Sequence, residues 1–117
     1  MVDNMSKYRV IFHLHEEEKG NIAFSNIINL INDLGEENLD IELLMNGTGV
    51  RVMLEDGTYV RKIDYLSNKG VAFSVCSNSL KGLKIDEDDL VDGFETVTSG
   101  VGELVKKQDE GWSYIKI

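Results

Sequence analysis

The chain carries one cysteine, Cys76, at the end of an uncharged run, Val71-Ala72-Phe73-Ser74-Val75-Cys76, which passes directly into Ser77-Asn78-Ser79. Such a run reads as a strand, and the polar triplet after it as the start of a short helix. A thiol at that junction faces unpaired amide donors and the positive end of a helix dipole, both of which favour thiolate over thiol. Its pKa is expected to fall, although nearby acids oppose the shift. A thiolate is the nucleophile of sulfur transfer, and Ser77, Asn78 and Ser79 could hold the sulfur, or a bound persulfide, by hydrogen bonds. The other reading is structural: cysteine is among the most buried residue types, and Cys76 then simply closes an apolar strand.

Two histidines, His13 and His15, are spaced so that a strand would point both rings to one face. A metal centre needs three or four convergent ligands, so no metal is assigned, even with Glu16-Glu17-Glu18 adjacent. A hydrogen-bonding or proton-exchanging role beside Cys76 suits the pair better. Asn46-Gly47-Thr48-Gly49 reads as a turn that starts a brief helix, and Asn46 and Gly47 join the candidate ligand-binding groups. The candidate site is therefore catalytic Cys76 with Asn78, Ser77, His13, His15, Asn46 and Gly47 around it.

Positioning these groups requires a particular scaffold. Short strand-like runs alternate with segments of helical period, the pattern of a parallel sheet covered on both faces. The strands are expected at Tyr8 to His15, Leu39 to Met45, Val71 to Cys76, Phe94 to Thr98 and Trp112 to Ile117. Between the first two, Phe24, Ile27, Ile28, Ile31 and Leu34 recur at helical spacing and Gly35 stops the helix. Thr58 is expected to cap a helix with Tyr59, Ile63 and Leu66 inward. Ser99 is expected to cap another, with Val101, Leu104 and Val105 inward. In such a sheet the chemistry collects outside the carboxyl ends of the strands, where His13, His15, Asn46, Cys76, Asn78, Ser99 and Gly100 all fall. Val52, Met53 and Leu54 would suit a subunit contact if exposed, or would cover the sheet if not.

Composition bounds the rest. At 117 residues, 42% hydrophobic and 28% charged, the sequence fits one globular domain over 7–117 after a disordered tail, 1–6. A lone cysteine forms no internal bridge, which points to a reducing compartment, most simply the cytoplasm. No apolar stretch is long enough to span a bilayer. A net charge of -9 repels phosphate backbones and anionic lipid, so neither nucleic acid nor a membrane is expected as a partner. A flavin phosphate loop would fall on Glu16-Glu17-Glu18, and Gly-x-Gly-x-x-Gly, Walker and Cys-x-x-Cys motifs are lacking, so no cofactor is assigned.

The stretch Val71 to Leu80, with Gly100-Val101-Gly102-Glu103-Leu104, Gln108 to Gly111, Trp112 and Tyr114 downstream, resembles the DsrE/DsrF-like family of small intracellular sulfur-metabolism proteins. The likeness runs from about Lys7 to Ile117 and takes in Asn26 to Leu30. It implies a three-layer α/β/α sandwich of flavodoxin-like layout on a mostly parallel five-stranded sheet. It also implies a homotrimer or homohexamer, and a cysteine that carries a persulfide between donor and acceptor proteins. Cys76 matches that cysteine and Asn78 its neighbour. A sulfur carrier is thus the leading expectation. A homo-oligomeric small-ligand-binding module, with Cys76 structural, is the alternative.

Overall fold

The computed structural model describes residues 7–117, so the expected tail, 1–6, lies outside the described residues. The strands are β1 (Tyr8–Leu14), β2 (Leu39–Met45), β3 (Ala72–Cys76), β4 (Phe94–Val97) and β5 (Ser113–Lys116). They form one all-parallel sheet in the order β4-β3-β2-β1-β5. The helices are α1 (Gly20–Leu34), α2 (Val60–Asn68), α3 (Ser77–Leu83) and α4 (Gly100–Asp109), with a 3-10 segment at Gly47–Met53.

The two faces of the sheet differ in character, and the register defines them. One face carries Val10, Phe12, Leu14, Ile41, Leu43, Met45, Phe73 and Val75, all buried. Against it pack Ala23, Phe24 and Ile27 of α1, Val50, Val52 and Met53, Ile63 and Leu66 of α2, and Leu80 of α3. Phe24 stacks on Tyr59 at 5.3 Å, and truncating such a buried aromatic costs about 3–5 kcal/mol. The opposite face carries Ile11, His13, Glu42, Leu44, Ser74, Cys76 and Tyr114, and α4 lies over it: Lys107 pairs with Glu42, and Gly100 lies against Asn46.

Chain direction explains this asymmetry. From β1 to β4 each strand adds on the same side of its predecessor, so right-handed crossovers put α1, α2 and α3 on one face. From β4 the chain returns across the whole sheet to β5 beside β1, and the same handedness sends α4 over the other face.

Local signals account for most boundaries. Gly35, at φ 88°, takes the end of α1, and the Ser99 hydroxyl accepts the Gly102 amide at 3.0 Å as the cap of α4. Two expectations need correction. Thr58 does not cap α2; the residue before that helix is Tyr59, and no side chain caps it. Val101 and Val105 do not face inward, being 68% and 62% exposed; α4 turns Gly100, Glu103, Leu104 and Lys107 toward a sheet face that holds Glu42 and Ser74. Of the two placements open to Val52 and Met53, the structure has the second: both are buried over the apolar face.

Candidate functional site

The carboxyl ends of β1, β2 and β3 meet the N-termini of α3 and α4. Cys76 is the last residue of β3, and its side chain is 5% exposed. Burial alone would raise the thiol pKa. The Ser79 hydroxyl and the backbone amides of Ser79, Gly100 and Asn78 stand around the sulfur as donors and outweigh burial, so the pKa lies below its ordinary value. The sulfur thus faces the amide ends of two helices at once, one following it in sequence and one arriving from across the sheet.

Asn46 and Gly47 follow β2. The Gly47 amide donates to the Ser79 hydroxyl at 2.8 Å, which fastens this loop to the start of α3. Gly47 sits at φ 54°, and a Cβ there would stand 2.6 Å from Cε1 of His15. Gly49 passes so close to the Leu14 carbonyl that any side chain would strike the backbone. The Thr48 hydroxyl accepts the Glu17 amide at 3.1 Å, joining the loops that leave β1 and β2. These contacts explain why Asn46-Gly47-Thr48-Gly49 is rich in glycine: two strand-end loops approach each other at backbone distance.

The histidines converge on Asn46. Nε2 of His13 and Nδ1 of His15 each lie 2.9 Å from Oδ1 of Asn46, and Nδ1 of His13 lies 2.8 Å from the Tyr114 hydroxyl. Burial is the largest influence on His13 and holds its pKa below the ordinary value. The bond to Asn46 opposes this, while Lys116 and His15 push the same way as burial. His13 is therefore a neutral hydrogen-bonding group near pH 7.

The candidate residues thus fall into one contiguous cluster. His13 and His15 meet at Asn46, Gly47 meets Ser79, and Ser79 and Gly100 meet Cys76. Asn78 contributes its backbone amide, while the residue itself is exposed; Ser77 is half-buried at the first turn of α3. Among the described residues no group of three or more His, Cys, Asp and Glu side chains is placed to hold a metal ion.

Two participants escape a sequence reading. Tyr114 reaches His13 only because β5 pairs with β1, with Ile11 opposite Tyr114. Glu42 lies 5% exposed beneath α4, accepting from the Ser74 hydroxyl at 2.7 Å and 3.5 Å from Nζ of Lys107. The signal for Glu42 was an acid inside the otherwise apolar run Ile41-Glu42-Leu43-Leu44-Met45.

A family model described as DsrE/DsrF-like family matches residues 6–117. The chain belongs to the DsrE/DsrF-like family. Among solved structures, a protein of unknown function, MTH1491, from Methanobacterium thermoautotrophicum is 41% identical. It matches over 95% of this chain and 100% of its own, with a TM-score of 0.88. The ychN protein from E. coli shares the fold at 18% identity and a TM-score of 0.78, over 94% of this chain and 99% of its own. A conserved protein of unknown function, BT1422, from Bacteroides thetaiotaomicron does so at 13% and 0.74, over 93% and 94%. Comparison with curated proteins gives no match. Membership of the DsrE/DsrF-like family agrees with the five-stranded parallel α/β domain, and no described helix is long and apolar enough to cross a membrane.

Proposed function

We propose that this protein is a sulfur carrier, holding a persulfide on Cys76 and passing it between protein partners in a reducing compartment. The observation that carries the reading is the convergence of the Ser79 hydroxyl and three backbone amides on one sulfur, which lowers its pKa despite burial. Donors fixed in that way stabilise a sulfur anion without any cofactor. Family membership supports a sulfur-related role.

The step is redox-neutral. The Cys76 thiolate attacks the outer sulfur of a donor R–S–SH, a new S–S bond forms, the donor's S–S bond breaks, and R–S⁻ leaves with the electron pair. Cys76–S–SH then holds the transferred sulfur and its proton. An acceptor thiolate reverses the sequence and regenerates the Cys76 thiolate.

Intact mass after incubation with a hydropersulfide donor tests this, wild type against Cys76→Ser. The carrier gains about 32 mass units, one sulfur atom, reversibly on reduction and only when Cys76 is present. The 5% exposure of Cys76 favours a second reading, a ligand-binding module in which the thiol only packs. No adduct, with a slow thiol and an intact fold, selects that module.

A further inference from the structure

The Asn46 carboxamide is more tightly determined than its half-exposed position suggests. Two imidazole nitrogens approach the same Oδ1 at 2.9 Å each, and a carbonyl oxygen only accepts, so Nε2 of His13 and Nδ1 of His15 are both donors. With its proton on Nε2, neutral His13 receives the Tyr114 hydroxyl proton at Nδ1. The oxygen end of the carboxamide is therefore satisfied, and the direction of the amide group is set by its neighbours.

The nitrogen end points the other way. A Cβ placed on Gly100 would stand 3.1 Å from Nδ2 of Asn46, so the amine lies against the first residue of α4. The backbone amide of that same glycine is one of the donors that lower the Cys76 pKa. Among the described residues Nδ2 donates no hydrogen bond, so two N–H groups stand unspent beside the sulfur's ring of donors.

We propose that Asn46 holds the outer sulfur of the Cys76 persulfide through these N–H groups, with His13 and His15 as the residues that position it. The inference rests on the carrier reading and specifies how the cargo is held. Once sulfur is transferred and the hydropersulfide releases its proton to solvent, negative charge resides on the atom about 2 Å beyond Sγ. The donors from Ser79, Asn78 and Gly100 are aimed at the inner sulfur, and a separate donor is required for the outer one. At the neighbouring strand end Asn46 presents one, its Nδ2 lying against Gly100. The group it recognises is a small terminal anion or acceptor atom, as in a hydropersulfide, and not an alkylated disulfide sulfur, which carries no charge.

The exchange equilibrium between Cys76 thiolate and cysteine hydropersulfide, read by intact mass, tests the proposal together with the pH profile of Cys76 alkylation. Asn46→Asp keeps an oxygen for both histidines and removes the N–H donors; Asn46→Ala removes the whole group. Both variants are expected to shift the equilibrium about tenfold toward free thiol, the worth of one hydrogen bond to a charged atom. The Asn46→Ala alkylation profile is expected to move far less. Wild-type occupancy in both variants, or equal losses in occupancy and alkylation, overturns the assignment to the outer sulfur. Failure of the wild type to take up sulfur at all overturns the carrier reading instead.

Discussion

The hydroxyl of Ser79 stands beside the sulfur of Cys76 and lowers its pKa more than any other group. The rotor is set because the same oxygen already accepts the Gly47 amide at 2.8 Å, leaving the proton free to turn toward the thiolate. A loop from β2 thus orients a hydroxyl on α3 that acts on a residue of β3.

Ser79→Ala removes that donor while Gly100, Asn78 and Ser79 itself keep their amides on the sulfur. The thiol pKa is expected to rise toward its ordinary value and alkylation near pH 7 to slow about tenfold, since a bond to a charged group is worth about 1.5–3 kcal/mol. Rates of iodoacetamide labelling across pH 6–9 measure it, as a rise of about one pH unit or more in the midpoint. An unmoved profile would mean that the backbone amides alone set the thiol.

Glu42 governs a pH dependence of stability. Burial chiefly, and then the shared hydrogen bond and charge of Glu103, raise its pKa from 4.5 to about 7, against the opposing pull of Ser74 and Lys107. The folded value lies above the unfolded one, so the native state keeps a proton that the unfolded chain releases. The contribution is full below about pH 4.5, declines as pH rises, and above about pH 7 is lost, by at most about 3 kcal/mol. Glu42→Gln retains an acceptor for the Ser74 hydroxyl and cannot ionise. Urea midpoints between pH 5 and 8 are expected to fall for wild type and stay level for the variant. Parallel curves for the two proteins would refute the role.

Val101 and Val105, 68% and 62% exposed on the outer side of α4, are expected to form a contact between copies of this chain. Light scattering on wild type is expected to give a multiple of 13.1 kDa, and Val101→Asp with Val105→Asp the single-chain mass. A wild type that already runs at 13.1 kDa disproves that contact.

Sequence reading captured what local chemistry decides. Leu39–Met45 stands as β2 because its apolar residues run nearly unbroken, and Gly35 and Ser99 end and begin helices through backbone geometry and a hydroxyl cap. Cys76, Asn46 and the two histidines were legible as strand-end groups of a parallel sheet. Pairing was not: that Tyr114 meets His13 depends on β5 lying beside β1, a contact between residues 101 apart in the chain. The inner side of α4 was misread for a related reason. Val101, Leu104 and Val105 form its most apolar stripe, but the sheet beneath presents Glu42 and Ser74, so the helix turns Lys107 and Glu103 inward to meet them.

The long return from β4 to β5 also orders events during folding. Strands β1 to β4 pair with neighbours in sequence, whereas β5 must cross four strand spacings, roughly 19 Å, before it finds β1. Loop-closure entropy makes that the slowest pairing to establish. Gly100 and Tyr114 both sit on this last segment, so the third amide on Cys76 and the partner of His13 arrive together and late. A chain emerging from synthesis has the donors of the helix after β3 on its sulfur but lacks the Gly100 amide until the return segment docks, so activation of the thiol is completed only with the fold.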